Sequence, residues 1–246
     1  MTLSRFARMN EAIEFLTPTA TSIEIKTWWD SFNDKAILLK LLDLEYPMNN
    51  IGQKKAVKWV ASALQVFDEE LQQNIDVHMD FGDGVYYFGG ENQDSQITLK
   101  QFYDLLCMDC GRRTPANFSI FSEYFTQMSA LERKWFIRFW IRKPRNGVKR
   151  GNLLKLLASI YDKPLHEVKR DCAFHTPAEL FDYYIAGEAP APELSHGVFI
   201  SPMLAKNIPK HKWAKRRIYE YKYDGARYQI HKENDSIIIF NRAGKV

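Results

Sequence analysis

The chain has 246 residues, of which 46% are hydrophobic and 26% charged, with a formal net charge of +4; this is the balance of an ordinary globular protein long enough for one large or two modest domains. No apolar run approaches the roughly 20 residues that span a bilayer, and the N-terminal MTLSRFARMNEAIEF is broken by charges without a small-residue cleavage site, so it is not expected to be a secretory leader. An intracellular protein, cytoplasmic or nuclear and without membrane partners, is therefore expected.

The charge is segregated. Nine Lys and Arg and no acid lie between Arg133 and Lys155, and eleven Lys and Arg face four acids from Pro202 to Val246, so the rest of the chain is acidic. Two basic surfaces on an acidic body suit a polyanion partner.

The first 185 or so residues read as helices with brief interruptions. Asn33 or Asp34 can cap a segment with Ile37, Leu38, Leu41 and Leu42 on one face, and Pro47 is expected to end it. Gly52 precedes a second, with Val57, Val60, Ala61 and Leu64 as its stripe. DFGDGVYYFGGENQDSQ, from Asp80, is expected to be a loop or small hairpin because of its glycines and aspartates. Its Asp-Phe-Gly lacks the other parts of a kinase site. The pairs Cys107/Cys110 and Cys172/His175 have zinc-ligand spacing. A gap of about sixty residues is far longer than in compact fingers, so ordinary packed thiols are expected and no metal ligand is assigned.

Ser129-Ala-Leu-Glu132 is a capping box. It opens a helix with Trp135, Phe136, Phe139 and Trp140 on its buried face and Lys134, Arg138 and Arg142 on another, ending near Lys143 ahead of Pro144. The turn from Arg145 to Gly151 leads to Asn152, the expected cap of a helix built on Leu153, Leu154, Leu156, Leu157 and Ile160. Glycines permit close backbone approach, and a helix start offers unpaired amides to an anion. A solvated charge run is the simpler reading of these cations. The absence of acids and the concentration of Gly and Arg at one helix start favour phosphate contact, indifferent to base sequence. Arg142, Arg145, Gly147, Lys149, Arg150 and Gly151 are the expected DNA contacts.

GEAPAPELSHGVF, from Gly187, has the composition of a linker. Beyond it the pattern alternates. Strands are expected at Tyr219 to Tyr223, Ala226 to Lys232 and Ser236 to Asn241, with turns at Asp224-Gly225 and Asn234-Asp235. The run Ile237 to Phe240 suggests a strand buried on both faces.

At the first of these turns Lys222-Tyr-Asp224-Gly225-Ala-Arg227 matches K-x-D-G-x-R; Glu220 and Ser201-Pro-Met-Leu-Ala205 precede it, and Asn241-Arg242 follows. This constellation resembles the nucleotide-binding core of ATP-dependent DNA ligases. ALERKWFIRFWIRKPRNGVKRGNLLKLLAS, from Ala130 to Ser159, is similar to the helical DNA-binding domain that precedes the core in the larger members, where an Arg-x-Gly turn leads into a helix as Arg145-Asn-Gly147 does here. AILLKLL at Ala36 and NIGQKKAVKWV at Asn50 fit that domain more loosely, and Pro144 and Asn146 depart from its usual aliphatic residues.

The resemblance implies a mostly α DNA-binding domain over residues 1–186 and a linker over 187–201. Residues 202–246 would then hold the first antiparallel strands of an α+β nucleotidyltransferase domain. It further implies ATP and Mg²⁺ as cofactors, nicked duplex DNA as partner, and Lys222 as the nucleophile that carries AMP. Glu220 would lie by the adenine, Arg227 at the ribose or nucleotide phosphate and Arg242 at a phosphate of ATP or the nick. Asp224 either orients the lysine or a hydrated metal, or is simply the turn residue.

Members of the family continue through further core motifs and an OB-fold. The expectation is thus a fragment, or one part of a split enzyme completed by a second polypeptide, that binds nicked DNA without sealing it unaided. RNA ligases and capping enzymes share the lysine motif but generally lack the helical domain. NAD-dependent ligases are disfavoured by Arg227 and by that same domain. A non-catalytic DNA-binding protein retaining part of a ligase core is the other reading.

Overall fold

The computed structural model describes residues 2–47, 51–89, 93–108, 114–190, 196–197, 199–200, 221 and 225–242. Among these, twelve helices precede one β-hairpin. The helices are α1 (Leu3–Ile13), α2 (Pro18–Trp29), α3 (Lys35–Leu42), α4 (Gln53–Leu64), α5 (Asp68–His78) and α6 (Phe81–Tyr87), then α7 (Leu99–Cys107), α8 (Pro115–Gln127), α9 (Ala130–Trp140), α10 (Arg150–Ile160), α11 (Leu165–Asp171) and α12 (Pro177–Ala186). The strands β1 (Tyr228–Glu233) and β2 (Ser236–Asn241) pair antiparallel, with Tyr228 opposite Asn241 and Glu233 opposite Ser236. The expected class, a mostly α unit followed by first antiparallel strands, is what is observed.

Local chemistry sets the helix starts. Asp34 caps α3, and the Ser129/Glu132 box caps α9, with Glu132 accepting from the Ser129 amide at 2.8 Å. Glu132 also accepts from the Ser95 hydroxyl at 2.9 Å, so one buried carboxylate joins the start of α9 to the segment ahead of α7. Three boundaries differ from expectation. The chain leaves α3 at Leu42, ahead of Pro47, through a left-handed Leu44. It leaves α9 at Trp140, ahead of Lys143, through a left-handed Arg142. Finally, α10 starts at Arg150 rather than after Asn152: Asn152 is its third residue and reaches back to accept from the Lys149 amide at 3.0 Å.

Helix α9 is the axis of the core, and every residue from Glu132 to Trp140 is buried. Phe136, Phe139 and Trp140 meet rings from three other helices. Phe139 packs on Phe6 of α1 with centroids 5.0 Å apart, Phe136 on Phe102 of α7 at 5.9 Å, and Trp140 stacks on Phe121 of α8 at 5.0 Å. Aromatic packing of this kind adds about 0.5–1.5 kcal/mol per pair beyond area burial.

The polar side of α9 is buried as well, against the expectation of one continuous basic surface. Arg133 donates to the carbonyls of Phe125, Gly89 and Thr126. Lys134 pairs with Glu11 at 2.9 Å and with Glu14 and Asp83 at 3.2 Å. Arg138, 1% exposed, pairs with Glu14 at 2.6 Å and with Asp80 and Asp83 at 2.9 Å. Burial opposes the charge on Asp80, but the Asp83 amide, Arg138 and Arg145 together outweigh it and hold the carboxyl below its usual range. Its contribution to stability is therefore present above the ordinary carboxylate pKa and is lost as pH falls through the depressed one.

The stretch from Asp80, expected to be a loop or hairpin, forms α6. Asp80 caps it by accepting from the Asp83 amide at 2.9 Å. Its glycines are contact residues rather than breakers. A Cβ on Gly82 would lie 2.7 Å from the Lys134 carbonyl oxygen, and one on Gly84 would lie 2.8 Å from the Ile75 Cα. Both neighbours are backbone of an adjacent helix, so the composition that marks turns here permits close helix crossing.

The hairpin is less buried than its apolar run implies. Ile237 is 58% and Ile239 47% exposed, and Phe240 alone among the residues of β1 and β2 is buried. Among the described residues the sheet has two strands, too few to bury both faces. The turn at Asn234-Asp235 is present, with Asn234 left-handed. The strand expected at Tyr219 to Tyr223 and the Asp224-Gly225 turn fall largely outside the described residues.

Substituting Gly82 with alanine separates the two readings of that stretch. Alanine would stabilise an unconstrained helix by about 1 kcal/mol. Against the Lys134 carbonyl it is expected to destabilise by about 1–3 kcal/mol in chemical unfolding, and an unchanged or raised stability would contradict the close crossing.

Candidate nucleic-acid interface

The turn between α9 and α10 is built from inward-facing polar side chains. Arg145 and Gly147 both have positive φ, 54° and 71°. Between them Asn146, 1% exposed, donates to the Asn10 side chain at 2.6 Å and accepts from the Val148 amide at 3.1 Å. Asn152 donates to the Pro18 carbonyl at 2.6 Å while it holds the Lys149 amide. The turn is thus tied to α1 and to the start of α2. Asn146 is the peg.

The six expected DNA contacts divide into two sets. Arg142 donates to the Tyr46 and Leu44 carbonyls at 2.7 and 2.8 Å and lies over the Tyr46 ring. Arg150 grips both oxygens of Asp43, through Nε to Oδ1 at 3.2 Å and through a terminal nitrogen to Oδ2 at 2.6 Å. These two guanidiniums hold the loop after α3. Burial pushes the Asp43 carboxyl up, more than Arg150 pulls it down; the planar, bidentate geometry is nonetheless that of a charged pair, and Arg150 stays charged.

The other four, Arg145, Gly147, Lys149 and Gly151, are exposed, as are the flanking Lys143 and Lys155. Arg145 reaches Asp80 at 3.1 Å with over half of its side chain in solvent. A Cβ on Gly147 or on Gly151 would meet nothing within 4 Å. At Gly147 the positive φ accounts for glycine. At Gly151, in the first turn of α10, no internal constraint does. The outward surface therefore has exposed cations, open backbone and the positive end of an eleven-residue helix, which together can hold phosphate oxygens.

A cleft of about 260 Å³ continues from this turn. Lys143 and Arg145 line it together with the acids Asp76 and Asp80, with Met79, and with Gln53 at the start of α4. Lys54 and Lys58 follow on α4, exposed and one helical turn apart. Their i, i+4 spacing in NIGQKKAVKWV was the available signal for a second cationic edge, and it is not contained in the Arg133 to Lys155 run.

Lys222, Asp224 and Glu220 lie outside the described residues. Arg227 and Arg242 are described and exposed. Since Tyr228 pairs with Asn241, the register brings Arg227 and Arg242 to the same end of the hairpin, the end from which the chain runs back to Lys222. Of the candidate zinc residues Cys110 is not described; Cys107 is half-buried, and burial pushes the buried Cys172 thiol up to about 11. Among the described residues no group of three or more His, Cys, Asp or Glu is arranged to hold a metal ion, and no helix is long and apolar enough to cross a membrane.

Comparison with known proteins agrees with both halves. Residues 5–158 match the family profile described as DNA ligase N terminus, and residues 202–246 the one described as ATP dependent DNA ligase domain. A DNA ligase of Pyrobaculum arsenaticum is 28% identical over 239 residues, 85% of this chain and 40% of its own length. One of Hyperthermus butylicus is 26% identical over 80% of this chain and 38% of its own length. One of Pyrobaculum calidifontis is 32% identical over half of this chain and 22% of its own. The chain spans about 40% of the length of the first of these relatives. With a family profile matching more than half its residues, the chain belongs to the ATP-dependent DNA ligase family.

Proposed function

We propose that the chain is the DNA-gripping and nucleotide-accepting part of an ATP-dependent DNA ligase acting on nicked duplex DNA. The Lys222 amine attacks the α-phosphorus of ATP, forming a nitrogen–phosphorus bond as the bond to pyrophosphate breaks and the amine proton leaves. AMP then passes to the 5′-phosphate at the nick, and the 3′-hydroxyl displaces it to close the strand. A lysine of ordinary pKa, about 10.4, needs surrounding cations to be neutral enough for attack. Glu220 would sit by the adenine, and Asp224 would orient the lysine or serve the turn.

The observation that carries the nucleotide half is the strand register that gathers Arg227 and Arg242 at the hairpin end next to Lys222-Tyr-Asp-Gly. Two guanidiniums at one end suit the spreading negative charge of a phosphoryl group in transfer. Mg²⁺ is implied by the resemblance and would supply counter-charge to ATP phosphates. The described residues form no site for it, and no step is assigned to it. The DNA half rests on the outward set at the α9–α10 turn.

Incubation with α-labelled ATP tests the chemistry on the full-length gene product. A covalent adenylate is expected on Lys222, located by mass spectrometry and absent from Lys222→Ala. An adduct elsewhere, or labelling by NAD instead of ATP, would contradict the reading.

Titration of a fluorescent nicked duplex tests the turn. Arg145→Ala and Lys149→Ala are each expected to weaken binding several-fold and to lower the slope of log affinity against log salt by about 1. Gly151→Leu should leave thermal stability intact, since its side chain enters open space, yet weaken binding comparably. Unchanged affinity in all three would remove the turn from the DNA interface.

A further inference from the structure

Asp80 divides its two carboxylate oxygens between the interior and the rim of the helical unit. Oδ1 accepts from the Asp83 amide and from Arg138 Nε, both at 2.9 Å, so it caps α6 and meets the buried guanidinium. Oδ2 lies 3.1 Å from a terminal nitrogen of Arg145, and that same nitrogen donates to the Met79 carbonyl at 3.3 Å. Both acceptors sit at the junction where α5 ends, at a left-handed Met79, and α6 begins. The Asp80 side chain is 7% exposed and that of Arg145 55%. One nitrogen of the arginine is thus anchored on a fixed carboxylate. Among the described residues its Nε and its other terminal nitrogen make no bond.

We propose that Asp80 is a positioning residue for DNA: through Oδ2 it holds the Arg145 guanidinium with its free donors toward solvent, set to receive a phosphate oxygen. The proposal rests on the DNA reading of the α9–α10 turn. A guanidinium carries five N–H donors in a rigid fork, so fixing one terminal nitrogen orients the rest. An arginine already ordered also loses less side-chain freedom when phosphate arrives than a free one does. Among the described residues Lys143, Lys149 and Lys155 form no ion pair, which leaves Arg145 as the anchored cation of the outward set. Asp80 itself is held by the α6 cap and by Arg138, so it keeps its place when phosphate competes for Arg145.

Charge alone argues the opposite way. A carboxylate beside a phosphate site repels the polyanion and competes for the arginine, so deleting it should tighten binding. Positioning requires that deleting it weakens binding. Asp76 supplies the comparison, because it is an exposed acid lining the same cleft, bonded to Gln72 at 2.7 Å and not to Arg145.

Titration of a fluorescent nicked duplex with variants of the full chain decides between the two signs. Asp80→Asn keeps an acceptor oxygen for the α6 cap and Arg138, and puts an amide NH2 where Oδ2 met Arg145. It is expected to weaken binding about fivefold, and to have no further effect in the Arg145→Ala background. Asp76→Asn should leave affinity unchanged or raise it. Arg145→Lys keeps the charge but not the fork, and should lose most of what Arg145→Ala loses; being a surface change, it decides the matter even where Asp80→Asn does not fold. Unchanged or tighter binding by Asp80→Asn, an equal loss on the Arg145→Ala background, an equal loss in Asp76→Asn, or wild-type affinity in Arg145→Lys overturns the positioning role. The two levels fail separately: if Arg145→Ala and Lys149→Ala weaken binding while Asp80→Asn does not, the turn remains a DNA interface and Asp80 is only a structural acid. Unchanged binding by Arg145→Ala removes the positioning role as well, since nothing is then positioned.

Discussion

The guanidinium of Arg138 sits almost wholly out of water in the middle of the helical unit, and the arrangement around it follows from the need to meet its charge. Glu14 comes from the end of α1, and Asp80 and Asp83 from the start of α6. Lys134, one turn earlier, shares the same acids. A buried charge left without its partners costs about 3–5 kcal/mol, so these helices are held in one mutual position by electrostatics that an apolar contact would not specify. Gly82 lets α6 come near enough for the pairs to form.

That cluster also decides what the basic stretch can offer outside. Arg133, Lys134 and Arg138 face inward, and Arg142 and Arg150 brace the loop after α3. The remaining cations, Lys143, Arg145, Lys149 and Lys155, face solvent around a turn pegged by Asn146 and Asn152. Arg145 belongs to both sets, since it touches Asp80 at the rim of the cluster. The structural and the proposed binding roles of one basic run thus meet at a single residue, which explains why the run carries no acid: its counter-charges come from other helices.

Much of this was legible from local chemistry. The Ser129/Glu132 box, the Asp34 cap, the aromatic face of α9 and the second turn of the hairpin depend on neighbours in sequence, and they formed where the pattern put them. The misreadings share a cause, which is that long-range partners overrode local meaning. Glycines in DFGDG read as breakers because their composition does not show the backbone they admit, that of α9 at Gly82, 52 residues away, and that of the preceding helix α5 at Gly84. Lys134 and Arg138 on the polar side of α9 read as part of a basic surface because their acids lie 51 to 124 residues away. Asn152 read as a cap because its distant acceptor, the Pro18 carbonyl, could not be seen. Gly151, by contrast, was singled out from its type and position alone, and no packing neighbour explains it.

The division of the basic run into inward and outward cations is tested most directly by lysine-acetylation footprinting with mass spectrometry, on the chain alone and with a nicked duplex. The account predicts that Lys134 stays unreactive in both states, while Lys143 and Lys149 react freely in the absence of DNA and are shielded in its presence. Reaction of Lys134 in the free protein would contradict the buried cluster, and reaction of Lys149 unaltered by saturating DNA would contradict the phosphate-binding turn.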